Sequence, residues 1–427
     1  MKSITRRAFL RTSAITAIGA GLGSPLLGRT AFGGTRSLRG TATDPIVVLV
    51  NMFGGNDFLN TVVPLGQFDR YRAMRPMLHI PRERTLSLPG TTDIGFNPGM
   101  TALRDIYADG RLAVVLGTGM PMNSQGLFDH EASQLNLQAG HTSGSAFESA
   151  PSGWIGRWLD TVGAGIAPPG VNVGGYSTLA LAGEERDALT VFDVSNFGVM
   201  PYFDTEARLA SYKRIQAEST SLIEPAKRGR EMRQLVVDLG DTLRERTEAY
   251  VPAVDYPEDN NVAYTLRQCA QLIDADLGVR ALAVAADGYD THASQNDGAS
   301  NSSLGYHDYL LMQVSNAIGA FLADVAAHGH GNRVVVVVAS EFGRRCFENT
   351  DVGTDHGYAG GMFVAGEPVQ GGIYGEYPSL ADNDLVLDGN IDVTTDFRSV
   401  YSTVLAGHLG ADPGDILNGN FPSLGFL

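Results

Sequence analysis

The stretch Val334-Val335-Val336-Val337-Val338-Ala339-Ser340-Glu341 decides the fold class. Five valines in succession, with no polar alternation, predict a strand buried on both faces, as in parallel sheets covered by helices on each side. Ala281–Ala286 is a second such run and ends in Asp287-Gly288-Tyr289-Asp290-Thr291-His292. Ile46–Val50 is a third and leads into Asn51-Met52-Phe53-Gly54-Gly55-Asn56-Asp57. Leu112–Leu116, ending at Gly117-Thr118-Gly119-Met120, and the short Met362–Ala365 read as further strands. Helical spacing of apolar residues covers Met100–Ala108, Phe128–Leu137, Val262–Ile273, Tyr306–Ala327 and Asp396–Leu409. Continuous apolar runs alternating with amphipathic helices predict an α/β domain with a mostly parallel, doubly covered sheet.

Sheets of this kind place their chemistry on the loops at the carboxyl ends of the strands. Carboxylates and imidazoles gathered there suit hard or borderline metal ions. Asp290 and His292 share a glycine-containing loop, and both can reach one ion if that loop curls; equally, Asp290 caps a turn and His292 is an exposed polar residue. Asp355 and His356 lie between Gly353 and Gly357. Adjacent side chains point apart in an extended chain, so they serve two ions, or one binds while the other orients. Glu341 emerges at the end of the central strand as a ligand, a general base or a loop cap. Arg344, close behind it, can clamp a tetrahedral oxyanion with two parallel hydrogen bonds, unless it or Arg345 simply pairs with Glu341. Asp57 joins the same edge if the first strand is central.

Ser124, Asp129 and His130 lie before or within the first turn of the helix that follows the second strand. A nucleophile at a helix start gains from the dipole and the free N–H groups, although Asp129 also suits that position as a plain N-terminal charge. The remaining histidines, His79, His141, His307, His328, His330 and His408, have no supporting carboxylate pattern and read as surface or packing residues. No phosphate-binding glycine loop, serine elbow or dinucleotide fingerprint is present. Asp57, Asp290, His292, Glu341, Asp355 and His356 thus fall on loops that one parallel sheet would gather. Two ions held there would stabilise the attacking and leaving oxygens of a displacement at phosphorus.

At 427 residues, 43% hydrophobic and 18% charged, the chain can bury a sizeable core. A formal charge of -16 argues against general affinity for nucleic acid or anionic lipid. It leaves room for a small anionic ester substrate, because a bound cation inverts the local field. Cys269 and Cys346 form no metal or redox motif and read as two buried thiols. Thr5-Arg6-Arg7-Ala8-Phe9-Leu10-Arg11, followed by the Gly/Ala-rich Ala14–Leu27, resembles a twin-arginine export signal. Its apolar part is too short for a comfortable bilayer span, so no stable membrane span is expected after processing. Residues 1–43 read as signal peptide and leader, and 44–427 as the folded domain. Within the domain, about 141–255 reads as a cap or insertion: Gly140–Pro201 is rich in Gly, Ser and Pro, and Glu206–Tyr250 is helical and charge-rich.

Several longer words carry a family resemblance. They are Gly54-Gly55-Asn56-Asp57 with Leu59-Asn60-Thr61-Val62-Val63-Pro64, Gly153-Trp154-Ile155-Gly156-Arg157, Asp290-Thr291-His292, Ser340-Glu341-Phe342-Gly343-Arg344, Gly353-Thr354-Asp355-His356 and Asp396-x-Arg398-x-x-Tyr401. Together they resemble the domain of unknown function 1501 family, twin-arginine-exported bacterial proteins of the alkaline phosphatase-like superfamily. The resemblance implies a three-layer sandwich with a mostly parallel central sheet. It further implies two divalent metal ions, drawn from zinc, calcium, manganese and magnesium, and a nucleophile at a helix start. By chain order Asp57 fits the first-strand aspartate ligand, and Asp290 with His292 the Asp…His pair of one metal. Glu341 stands where the superfamily's Asp-His pair usually follows a strand, and His356 where its later histidine ligand stands. The nucleophile slot departs from the pattern: Asp129-His130 replaces the usual Ser-His, and Ser124 is the alternative in a shifted loop.

These readings favour a metal-dependent hydrolase of phosphate or sulfate esters in the periplasm or outside the cell, delivered by the twin-arginine translocase. Ser124 or an activated water would attack, and Arg344 or Arg398 would hold the oxyanion. A phosphomutase shares the core but works on cytoplasmic metabolites. An exported binding or scaffold protein that keeps the fold without catalysis is the alternative from another class.

Overall fold

The computed structural model describes residues 44–142, 152–163, 168–195, 197, 210, 211, 214, 239, 240, 242–297 and 304–427. Residues 1–43, expected to form the signal peptide and leader, and most of the charge-rich segment 206–250 lie outside the described residues.

The valine run is strand β9. The strands are β1 (Ile46–Met52), β2 (Val62–Val63), β3 (Leu86–Ser87), β4 (Gly95–Phe96), β5 (Leu112–Gly119), β6 (Gly170–Val173), β7 (Leu189–Val191), β8 (Ala281–Ala286), β9 (Val334–Ser340), β10 (Gly360–Ala365), β11 (Gly372–Tyr374) and β12 (Thr395–Asp396). Among the described residues, nine of them form one sheet in the order β11-β5-β10-β9-β1-β8-β6-β7, with β12 also on β5; β2, β4 and β3 make a small antiparallel ribbon. Strand β1 is central: Val47 lies beside Ala281 on one flank and Val335 on the other, and both pairings are parallel.

The absence of alternation in these strands has the expected cause. Val48, Val50, Val334, Val336 and Val338 face one core, shared with the helices Thr101–Ala108, Asn261–Asp274 and Tyr306–Ala327. Val47, Leu49, Val335 and Val337 face a second core, closed by the helices Trp154–Thr161 and Phe397–Val404. Both faces of each strand are therefore out of water, and the molecule is a three-layer α/β sandwich. Helix Tyr306–Ala327 is long and apolar enough to cross a bilayer by composition, yet Leu311, Val314, Ile318 and Phe321 lie buried in the first core. Cys269 and Cys346 are free and buried.

Three features refine the sequence reading. Strand β10 runs antiparallel to both neighbours. A parallel return would need a crossover of a dozen or more residues, usually a helix. Here the chain loops out and back at one edge, held by Gly343 N–H to Tyr358 O at 3.3 Å and Gly357 N–H to Gly343 O at 2.8 Å. In the middle region, β6 and β7 extend the main sheet beyond β8, and Trp154 and Trp158 fill the second core. The last predicted helix stops its α-geometry at Val404 and continues as one π-turn, Leu405–Leu409, before Gly410 in the left-handed region.

The loop after β1 is fixed by a fully buried ion pair. Arg75 donates through Nη1 to both oxygens of Asp57, at 2.8 and 2.6 Å. Its other nitrogens donate to the carbonyls of Cys346 and Arg345, at 2.9 and 2.8 Å. Burial alone would raise the Asp57 carboxyl, but the Arg75 guanidinium overrides it and holds the group below the usual carboxylate range. Asp57→Asn should cost about 3–5 kcal/mol in urea unfolding, because it strands a buried guanidinium. A depressed folded-state value means the pair's contribution is complete above the unfolded carboxyl value of about 3.9 and disappears as pH falls through the lower folded value. The parent should therefore lose stability through that acid interval more steeply than Asp57→Asn, measured as urea midpoint against pH.

Candidate metal centre

The carboxyl ends of β1, β8 and β9 meet at one edge, and their loops touch at Gly54. This residue has φ +116°, and a Cβ there would stand 2.2 Å from the backbone nitrogen of Asp290. Only glycine allows both that conformation and that approach. Gly54 N–H donates to Glu341 Oε1 at 2.9 Å, tying the loop after β1 to the end of β9.

Arg344 joins the same loops from beneath. Its side chain is buried. Nε donates to Gly55 O at 2.7 Å, Nη1 to Thr354 O at 2.8 Å, and Nη2 to Gly54 O and to Asp290 Oδ1 at 2.6 Å. Every nitrogen of the guanidinium is engaged by the protein itself, so the clamp on an external oxyanion expected of Arg344 is replaced by a clamp on the protein's own loops.

Above this clamp, three imidazoles surround Asp290. His356 Nε2 and His292 Nε2 lie 3.2 and 3.1 Å from Asp290 Oδ1, and His130 Nε2 lies 3.5 Å from Oδ2. The ligand atoms of His130, Asp290 and His356 are all within 4.8 Å of one another. The far nitrogen of each ring faces an oxygen: His130 Nδ1 meets Glu341 Oε1 at 2.8 Å, His356 Nδ1 meets Phe128 O at 2.8 Å, and His292 Nδ1 meets Asp355 Oδ1 at 3.3 Å. A carbonyl or carboxylate can only accept, so each Nδ1 carries a proton. In its neutral form each ring then presents its Nε2 lone pair to the carboxylate of Asp290.

Lone pairs facing a carboxylate repel unless a cation or additional protons lie between them. His130 Nε2 is buried with no hydrogen-bond partner. Ligands about 2.0–2.1 Å from a tetrahedral ion stand about 3.3–3.4 Å apart, close to the 3.1–3.5 Å between Asp290 and each ring, while the set His130, Asp290 and His356 spans up to 4.8 Å. The donor set therefore fits a divalent ion. The oxygens behind the rings are the outer partners that fix tautomer and orientation in histidine metal sites.

Charged neighbours keep the carboxylates of this edge ionised. Burial pushes Asp290 upward, but the Arg344 guanidinium and the neighbouring imidazoles hold it at about 2. Glu341 is also lowered: burial opposes, and the hydrogen bonds from His130 and the backbone prevail. The same Glu341 contact raises His130.

The other expected residues stand outside the cluster. Asp57, expected as a ligand, spends both oxygens on Arg75 and also accepts from Gln295 Nε2 at 2.6 Å. Glu341 faces the Nδ1 side of His130 and also accepts from Gln134 and Ser340, which places it behind that ring and outside the cluster. Asp355 supports His292 and is itself held by Asn349 at 3.0 Å. Asp129 caps the helix His130–Ala139, accepting from Ala132 N–H at 2.8 Å. Arg398 forms two bonds to Asp396, at 2.9 and 2.6 Å, and stacks over Phe421, so its charge is neutralised on its own helix start. Ser124 Oγ is buried without a partner and makes no hydrogen bond to the cluster. His130, considered at first for the nucleophile slot, stands among the metal-type groups. Its position at a helix start opposite β9 was the only sequence signal; Gln134, Asn349 and the Phe128 carbonyl carried none.

Among solved structures, the chain is similar to a protein in the alkaline phosphatase superfamily from Vibrio parahaemolyticus, at 9% identity, covering 97% of this chain and 78% of that one, with a TM-score of 0.40. It is similar to an alkaline phosphatase from the Antarctic bacterium TAB5, at 11% identity, covering 86% and 98%, with a TM-score of 0.35. A sulfatase from Pseudoalteromonas sp. is 11% identical, covering 90% and 71%, with a TM-score of 0.36. No curated protein matches the chain. The family model described as "Protein of unknown function (DUF1501)" matches residues 204–419, half of the chain, and the protein belongs to that family.

Proposed function

We propose that the protein is an exported, metal-dependent hydrolase of phosphate or sulfate esters. One observation carries this: the Nε2 atoms of His130, His292 and His356 converge on Asp290 while each Nδ1 is held by an oxygen. A divalent ion bound there would supply Lewis-acid polarisation of an ester oxygen and an electrophilic counter-charge for an anionic substrate. His130, Asp290 and His356 would hold the ion, with His292 available as a fourth ligand. Glu341, Asp355 and the Phe128 carbonyl keep the rings aimed, and Arg344 keeps Asp290 ionised and in place. Ser124 is the nucleophile candidate, since its Oγ is unpartnered on the loop that leads to the helix bearing His130. A cleft of about 500 Å³ opens beside His292, bounded by Asn349, Asp355, Arg345 and Phe347, and offers room for the alcohol part of an ester.

One observation favours a second reading, an exported binding protein without catalysis. The arginine expected to hold the oxyanion is consumed by Gly54, Gly55, Thr354 and Asp290.

Metal analysis and turnover of aryl phosphates and aryl sulfates, with zinc, manganese, calcium or magnesium supplied, separate the two. The hydrolase should bind a divalent ion and turn over at least one ester class, and Ser124→Ala should abolish turnover while leaving metal affinity unchanged. Metal without turnover leaves the binding protein; neither metal nor turnover ends the metal-centre proposal. Glu341→Gln removes the charge behind His130 and should weaken metal binding about 10–100-fold in a chelator competition. His130→Ala and His356→Ala, which remove ligands outright, should weaken it further. Export through the twin-arginine translocase rests on Arg6 and Arg7. Replacing both with lysine should leave the protein in the cytoplasm, read by cell fractionation.

A further inference from the structure

Behind the ligand-bearing loops lies a polar side chain that no role above uses. Gln295 is fully buried. Its Nε2 donates to Asp57 Oδ2 at 2.6 Å. Its Oε1 accepts the hydroxyl of Thr291 at 2.9 Å and that of Thr354 at 2.8 Å. Thr291 stands between Asp290 and His292, and Thr354 immediately precedes Asp355 and His356. Thr291 and Thr354 are themselves buried. The backbone reinforces the junction: Thr354 N–H donates to Thr291 O at 3.0 Å, and Gln295 N–H to Val352 O at 2.9 Å.

One oxygen atom therefore holds both ligand loops, and the nitrogen of the same planar amide anchors them to Asp57, which Arg75 fixes in turn. Only a carboxamide does this here, because the position needs an acceptor for two hydroxyls and a donor for a carboxylate. A carboxylate would meet Asp57 with like charge. An apolar chain of equal length would leave the hydroxyls and Asp57 short of partners.

We infer that Gln295 is a positioning residue of the metal centre, acting through Thr291 and Thr354 to set the separation of Asp290 and His292 from His356. This rests on the metal centre proposed above. It distinguishes Gln295 from a residue that merely stabilises the fold, since the distance it governs lies between ligands on different loops.

The test uses the full chain and two probes, zinc affinity by competition with a chromophoric chelator and the visible spectrum of the cobalt(II)-loaded protein. Gln295→Met keeps the volume and removes all three side-chain bonds. It should weaken zinc binding about 10–100-fold, the range for lost outer partners of metal ligands, and alter the cobalt spectrum. Thr291→Val and Thr354→Val should shift both readouts in the same direction, while Thr291→Ser and Thr354→Ser, which keep the hydroxyl, should match the parent. A folded Gln295→Met with parental affinity and spectrum overturns the positioning role, even if its urea midpoint has fallen. If Gln295→Met does not fold, Thr354→Val decides, and parental affinity and spectrum there overturn it equally. A parent that binds neither zinc nor cobalt removes the metal centre itself, and the positioning role with it.

Discussion

The guanidinium of Arg344 is the constraint on which the edge of the sheet depends. Parallel strands deliver their loops to a common end, but nothing in the sheet ladder fixes how those loops lie against each other. Arg344 supplies that missing connection, with hydrogen bonds to Gly54, Gly55, Thr354 and Asp290. The planar fork matters because its donors lie at fixed angles, so the carbonyls it binds are held at fixed relative positions. The close approach of Gly54 to Asp290 follows from it. A buried arginine with a single carboxylate would be costly; one surrounded by backbone carbonyls shares the burden of desolvation among several acceptors.

The sheet was legible in the sequence for a simple reason. A strand buried on both faces leaves a run of apolar residues with no period, and β1, β8 and β9 each left such a run. The direction of β10 was not legible, because a strand's composition does not encode which way it runs; that depends on whether the preceding segment crosses the sheet. Ligand-type residues do lie on the loops at the edge of the sheet, where His130, Asp290 and His356 come together. Which residues face one another there was a different matter. Asp57 sits in the expected loop, but Arg75, eighteen positions later and just past the end of a helix, claims it, and no local pattern announces such a pairing. Glu341 lies at the expected strand end, yet it addresses the Nδ1 side of His130 from across 211 residues.

This distinction between ligand and support runs through the site. A carboxylate beside an imidazole can share its ion or hold its ring, and the two uses have the same sequence signature. In the proposed centre the two uses are separated by which ring nitrogen is engaged. Asp290 meets Nε2 atoms, whereas Glu341 and Asp355 meet Nδ1 atoms. Exposure follows the same division for Glu341, whose side chain is 1% exposed, against 48% for that of Asp290. A support can be sealed inside the protein; a ligand that is to serve a substrate must keep one side open.

The reversal of β10 has a consequence for how this part of the protein can change. The segment from Glu341 to Ala359 leaves β9 and re-enters at the adjacent β10, so both of its ends are anchored on neighbouring strands at the same edge. A segment rooted in this way is a lasso: its knot is the Gly343–Tyr358 and Gly357–Gly343 hydrogen bonds, and its arc carries Asn349, Asp355 and His356. Lengthening such an arc costs little closure entropy, since each doubling adds only about 0.6 kcal/mol. Insertions beyond the knot would reshape the rim of the site while leaving the strands in register, which makes this arc the natural place for relatives built on one sheet to diverge in what they accept.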